Sequence, residues 1–154
     1  MLDLEQLPGR GDVPGEGRVG VVAAQERLDL GAPTRLHGIE LGDDPAAAHD
    51  REVLAAITVA ELLVGVHLAD DIHRPDRQAL VDDVIDVVPI VDYDQAVASS
   101  HAELLVVVRR EGRPRGAHDL IIAATARTTR REVVSADSTA YRDLPGVVVR
   151  AQRS

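Results

Sequence analysis

From residue 51 onward the apolar residues alternate between short unbroken runs and spacings of three and four, the signatures of buried strands and of one-sided helices. "VLAAIT" reads as a short strand. In the stretch after it, Val59, Leu62, Leu63 and Val66 share one face and predict a helix. Leu80, Val81, Val84, Ile85 and Val88 predict a second helix, closed by Pro89. "IVDY" is a short strand or an extended link, and a long helix follows from about Gln95 to Arg110, with Val97, Leu104, Leu105 and Val108 facing inward. "EGRPRG" breaks it. The next helix, in "GAHDLIIAATA", is apolar all round, which predicts a central, buried position. "EVVSAD" and "GVVV" end the series as short buried strands. Strands alternating with helices predict a parallel sheet covered on both faces, an α/β sandwich whose ligand site lies beyond the carboxyl ends of the strands.

The opening 1–50 reads differently. Gly and Pro are dense in "LPGRGDVPGEGRVG", "GRVGVVAA" is consistent with a strand, and "QERLDLGAPTRLHGIELGDDPAAAHD" offers brief helical turns and loop. The expected organisation is an atypical, partly irregular segment 1–50 ahead of an α/β domain 51–154. A chain of 154 residues suits one domain with a modest core. That core is aliphatic, because Phe and Trp are absent and Tyr93 and Tyr141 are the only aromatics, which also argues against a base-stacking platform for single strands. The absence of Cys excludes disulfides and thiolate metal sites and fits the cytoplasm. No apolar run approaches the roughly 20 residues that span a bilayer. A net charge of −9 argues against a broad non-specific nucleic-acid surface, though not against local contact with RNA through a metal ion and a few arginines.

Three acids stand at element boundaries. Glu61 in "ITVAELLVGV" is expected in the first turn of its helix, spaced from Thr58 as in a capping box. Asp119 fits an N-cap or first-turn position, and Asp137 in "SADSTAY" can open a turn or cap a short helix. Taken singly, each acid has a sufficient structural role. Together, an α/β fold brings them to one edge of the sheet, where carboxylates repel one another unless a cation neutralises them. Hard oxygen ligands suit Mg²⁺ or Mn²⁺, which polarise phosphodiesters and activate water. Neither "GxSxG" nor a P-loop occurs to compete, so metal-assisted phosphodiester hydrolysis is the reaction class these acids allow. Among the histidines, His118 could orient a phosphate but reads first as a bystander at a helix start. His101 reads as a core histidine with a hydrogen-bond partner, and His37, His49, His67 and His73 lack ligand spacing.

The segments "AAITVAELLVGVHLAD", "VPIVDYDQAVASSHAELL", "GRPRGAHDLIIAATA" and "VVSADSTAYRDLPGVVV" resemble, in order, spacing and flanking residues, the PIN domain of VapC-type toxins, the ribonuclease half of bacterial toxin–antitoxin pairs. The resemblance covers about the last two-thirds of the chain. It implies a PIN-like α/β/α sandwich with a mainly parallel sheet, dependence on Mg²⁺ or Mn²⁺, endonucleolytic cleavage of RNA, homodimers and a VapB-type antitoxin. By position it makes Glu61, Asp119 and Asp137 the acidic catalytic and metal-site residues, with Ser135 beside them. The family also places an apolar-Asp-Thr/Ser motif at the end of its first strand. "GRVGVVAAQERLDL" occupies that place without an acid closing its apolar run, which leaves Asp3 and Asp29 as the upstream acids that could substitute. Three outcomes stay open: a nuclease impaired by the missing acid, an inactive PIN-like protein that still dimerises and binds an antitoxin, or an α/β domain whose acids are all caps.

Overall fold

The structure, a computed structural model, describes residues 20–22 and 52–151. The strands are β1 (Gly20–Val22), β2 (Val53–Ala55), β3 (Ile90–Val91), β4 (Glu132–Ser135) and β5 (Val148–Ala151). The helices are α1 (Ala56–His67), α2 (Arg74–Val87), α3 (Gln95–Glu111) and α4 (Ala117–Thr129), with a 3₁₀ turn at Ser138–Ala140 after β4. The strands lie in the order β3-β2-β1-β4-β5, and every pairing is parallel.

That order fixes the layers. The chain steps outward from β1 through β2 to β3, then returns past β1 to β4 and β5. Right-handed crossovers running in opposite directions place their helices on opposite faces, giving the α/β/α sandwich expected from the sequence. The reversal falls between β1 and β4, the position at whose carboxyl end parallel α/β sheets commonly bind their ligands. β1 holds the centre: Val21 is in register with Val53 on one side and with Val133 on the other. The stretch 1–50 therefore contributes a strand to the same sheet as the rest; its remaining residues, including Asp3, Asp29, His37 and His49, lie outside the described residues.

Local chemistry explains most element ends. Asp94 caps α3 by accepting from the Val97 amide at 2.9 Å, and Gly112 ends that helix in the left-handed region, at φ 62°. Val88 ends α2, its amide bonded to the Val84 carbonyl before Pro89 intervenes. The start of α1 departs from the expectation. No residue separates β2 from α1: the strand ends at Ala55 and the helix begins at Ala56. Thr58 is then inside the helix and buried, and Glu61 falls in the second turn, so the two do not form a capping box.

The core gathers Val97, Leu104 and Val108 of α3, Leu120, Ile122, Ala123, Ala124 and Ala126 of α4, and Val53 and Val133 of the sheet. Three alanines on α4 keep the helix close to its neighbours, and Leu104, Leu120 and Ile122 fill the volume between them, each stabilising the fold by about 1.5–3 kcal/mol. The stripe predicted on α1 is covered less completely. Val66 is buried, Val59, Leu62 and Leu63 are half-buried, and Val64 is exposed. Leu68 and Ile72, just beyond α1, are 81% and 82% exposed.

Candidate active site

All three predicted acids reach the carboxyl edge of the sheet by different routes. Glu61 is carried by α1, which leaves β2 directly. α4 leads into β4 through a tight turn and so runs antiparallel to it, which puts the first turn of α4, with Asp119, at the same edge. Asp137 follows Ser135, the last residue of β4, by two positions.

Their surroundings differ. Asp137 caps the 3₁₀ turn: its Oδ1 accepts from the Thr139 amide at 3.0 Å and from the Thr139 hydroxyl. The Thr139 hydroxyl and amide hold its carboxyl below the usual carboxylate range. Ser135 is buried beside it; its hydroxyl accepts from the Asp137 amide at 3.1 Å and donates to the Asp137 carbonyl at 3.2 Å. Asp119 lies in the first turn of α4, where the helix dipole favours an acid, but the N-cap is Gly116 and makes no side-chain cap. A Cβ added at Gly116 would collide with the Asp119 carboxylate. The other Asp119 oxygen, Oδ1, accepts from the Tyr141 hydroxyl at 3.2 Å. Glu61 accepts through Oε1 from His118 Nδ1 at 2.8 Å, while its Oε2 is buried without a hydrogen-bond partner. Since a carboxylate only accepts, that imidazole carries its proton on Nδ1.

Tyr141 joins the three acids. Its ring is buried in the core and its hydroxyl points to the carboxyl edge. Burial raises its pKa first, and the charges of Asp119, Glu61 and Asp137 raise it further, so the phenol stays protonated throughout the physiological range. Of the three acids, Asp119 is the one that bonds this hydroxyl. The three do not close on a single point. Among the described residues, no three His, Asp or Glu side chains come near enough together to enclose a metal ion.

No family model matches the chain. The tRNA(fMet)-specific endonuclease VapC of Shigella flexneri is 26% identical over 95 residues, which span 61% of this chain and 70% of that protein. VapBC-5 from Mycobacterium tuberculosis, a solved member of the VapBC family of toxin–antitoxin systems, is 27% identical and superposes with a TM-score of 0.61, covering 89% of this chain and 99% of its own. In sequence and in fold the chain is similar to VapC-type PIN domains. FitAcB from Neisseria gonorrhoeae is similar at 26% identity and a TM-score of 0.59, over 64% of this chain and 74% of that one. The DNA-bound VapBC of Salmonella typhimurium shares the fold, with a TM-score of 0.62 at 24% identity, over 66% of this chain and 76% of that one.

The donor chemistry at this edge suits a hydrated divalent cation better than a closed cage. Mg²⁺ keeps several waters and is commonly held by one or two carboxylates together with substrate phosphates. Glu61, with a buried oxygen that has no partner, and Asp119 have the right donor chemistry for it. In the sequence, Val22 of β1 is followed by Ala23 and Ala24, with no acid of the kind that closes the first strand in the PIN resemblance. Two residues of the cleft were missed or undervalued in the sequence. His118 belongs to α4 and pairs with Glu61 rather than standing by. Tyr141 gave a single signal: it is one of only two aromatics in the chain, and it sits beside the last of the acids.

Proposed function

We propose that this chain is the toxin of a VapBC-type pair, a divalent-metal-dependent endoribonuclease of the cytoplasm whose cleavage is slowed by the missing first-strand acid. The single observation that carries the reading is the pairing of His118 with Glu61, which sets Glu61 on α1 against the first turn of α4, where Asp119 stands. Mg²⁺ or Mn²⁺ would neutralise phosphodiester oxygens and activate water there. Glu61 and Asp119 are the residues proposed to hold it, with Asp137 and Ser135 shaping the far wall. The relative from Shigella flexneri is named for cleavage of an RNA, tRNA(fMet), and several solved neighbours are complexes of toxin with antitoxin. Those likenesses support an RNA substrate and a VapB-type antitoxin; a homodimeric toxin, and an antitoxin whose basic segment meets the acidic edge, are part of the same proposal.

A second reading has its own support. The sequence after β1 reads Ala23, Ala24 and offers no acid there, which favours an inactive PIN-like protein that still dimerises and binds an antitoxin. Small losses of geometry at a metal site cost large factors in rate, so the two readings differ in degree of cleavage. Cleavage of a long RNA by the full chain, with Mn²⁺ and with chelator, against Asp119→Ala separates them. Slow, metal-dependent cleavage that Asp119→Ala abolishes supports the nuclease; none in either protein, with antitoxin binding intact, supports the second reading. Fast cleavage abolished by Asp119→Ala would mean that an upstream acid such as Asp3 or Asp29 completes the site.

A further inference from the structure

Tyr141 is locked from two sides. Its ring packs in the core with Leu120 and Leu144, while its backbone is gripped by Arg115. Arg115 donates from Nη1 to the Thr139 carbonyl at 3.0 Å and from Nη2 to the Arg142 carbonyl at 3.0 Å, so one guanidinium spans the backbone before and after Tyr141. Its Nε is buried without a partner, a desolvation cost the fold carries to keep the planar fork in this place. Arg115 stands just ahead of α4, whose first turn bears Asp119, and Asp119 Oδ1 accepts from the Tyr141 hydroxyl. The contacts form a closed ring: Arg115, the loop it grips, Tyr141, Asp119 and back along the start of α4. Gly116 completes it, because the Asp119 carboxylate occupies the space that any larger residue would fill.

We infer that Arg115 and Tyr141 are positioning residues for Asp119, fixing the plane of its carboxylate before a divalent cation arrives. The inference rests on the proposed metal-dependent reading of the cleft and names what prepares it. The Tyr141 hydroxyl donates to Oδ1 while Gly116 packs against Oδ2, and that leaves the carboxylate one orientation to offer. Partners that orient a metal ligand typically govern about 10–100-fold in affinity. Were Tyr141 only a core aromatic, removing its hydroxyl would leave cation binding unchanged.

The test is Mn²⁺ affinity by calorimetry on the full chain, with Tyr141→Phe, Arg115→Met and Asp119→Asn beside the parent and thermal melting as the control for folding. Tyr141→Phe keeps the ring and is expected to bind Mn²⁺ about tenfold more weakly at a similar melting temperature. Arg115→Met is expected to weaken binding as well and to speed amide exchange across residues 138–142, and it decides the matter alone if Tyr141→Phe fails to fold. Parent-like affinity in both variants, with binding lost in Asp119→Asn, overturns the inference and leaves the proposed function standing. Absence of Mn²⁺ binding in the parent overturns the proposed metal site, and the inference with it.

Discussion

His118 on α4 and Glu61 on α1 meet at 2.8 Å although 57 positions separate them in the chain. This bond ties the two helices together at the cleft and aims the Glu61 carboxylate. The imidazole is largely exposed, so His118→Ala is expected to cost less than about 1 kcal/mol of stability, as surface pairs do. Its effect should fall on RNA cleavage, because Glu61 loses the partner that orients it. Melting curves and cleavage rates on the same preparation check both halves; a large loss of stability with unchanged cleavage would refute this assignment.

The proposed metal site predicts a thermal signature. Millimolar Mg²⁺ or Mn²⁺ is therefore expected to raise the melting temperature through binding linkage, by about 2.7 kcal/mol of stabilisation at a hundredfold excess over Kd. Asp119→Asn should blunt the response. Equal shifts in Asp119→Asn and the parent would count against Asp119 as a ligand.

His101 should make the fold acid-sensitive. Half-buried on α3, it shares a 2.9 Å hydrogen bond with Tyr93 through Nδ1, and its Nε2 is buried without a partner. Burial lowers its pKa below the ordinary value of 6.5. With the folded value depressed, the unfolded chain binds the proton more readily. Its contribution to stability is thus full above the unfolded value and lost as pH falls below it, toward the folded one. Replacing His101 with Asn should flatten the fall in melting temperature between about pH 7 and pH 5, the range around an unperturbed imidazole pKa. An unchanged slope would assign the acid sensitivity to other groups.

Leu68 and Ile72 expose nearly all of their side chains at the end of α1, with Val64 a turn before them. Such apolar exposure is expected to be covered in a homodimer or by the antitoxin. Light scattering should give a dimer at micromolar concentration, and Leu68→Asp with Ile72→Asp should shift association with one partner or the other while leaving the melting temperature nearly unchanged. A monomer in the parent at high micromolar concentration would remove the dimer.

The core prediction is the simplest. Leu104 is fully buried between α3 and its neighbours, so Leu104→Ala should cost about 2–5 kcal/mol, read by denaturant unfolding.

Much of this architecture was legible because periodicity is a local signal. Val97, Leu104 and Val108 announce the buried face of α3, and the apolar run after Asp119 announces a central helix. The start of α1 was not legible, since "VLAAIT" passes from strand to helix with no Gly, Pro or polar cap to mark the change. The cleft was legible only in part. Glu61, Asp119 and Asp137 stand out as acids against apolar surroundings, whereas His118 and Arg115 draw their meaning from atoms far along the chain. Spacing rules have no access to such contacts.

The central place of β1 has a bearing on how this protein could be cut or joined to others. With β1 between them, β2 and β4 have both ladders satisfied; without it, each would present a bare row of amides and carbonyls in the middle of the molecule. Removing the first 50 residues would not yield a trimmed domain but two half-sheets with reactive inner edges, prone to recruit a strand from another copy. Expression trials should therefore begin upstream of Gly20, and a short peptide carrying the β1 sequence is the natural candidate to rescue a truncated chain in trans.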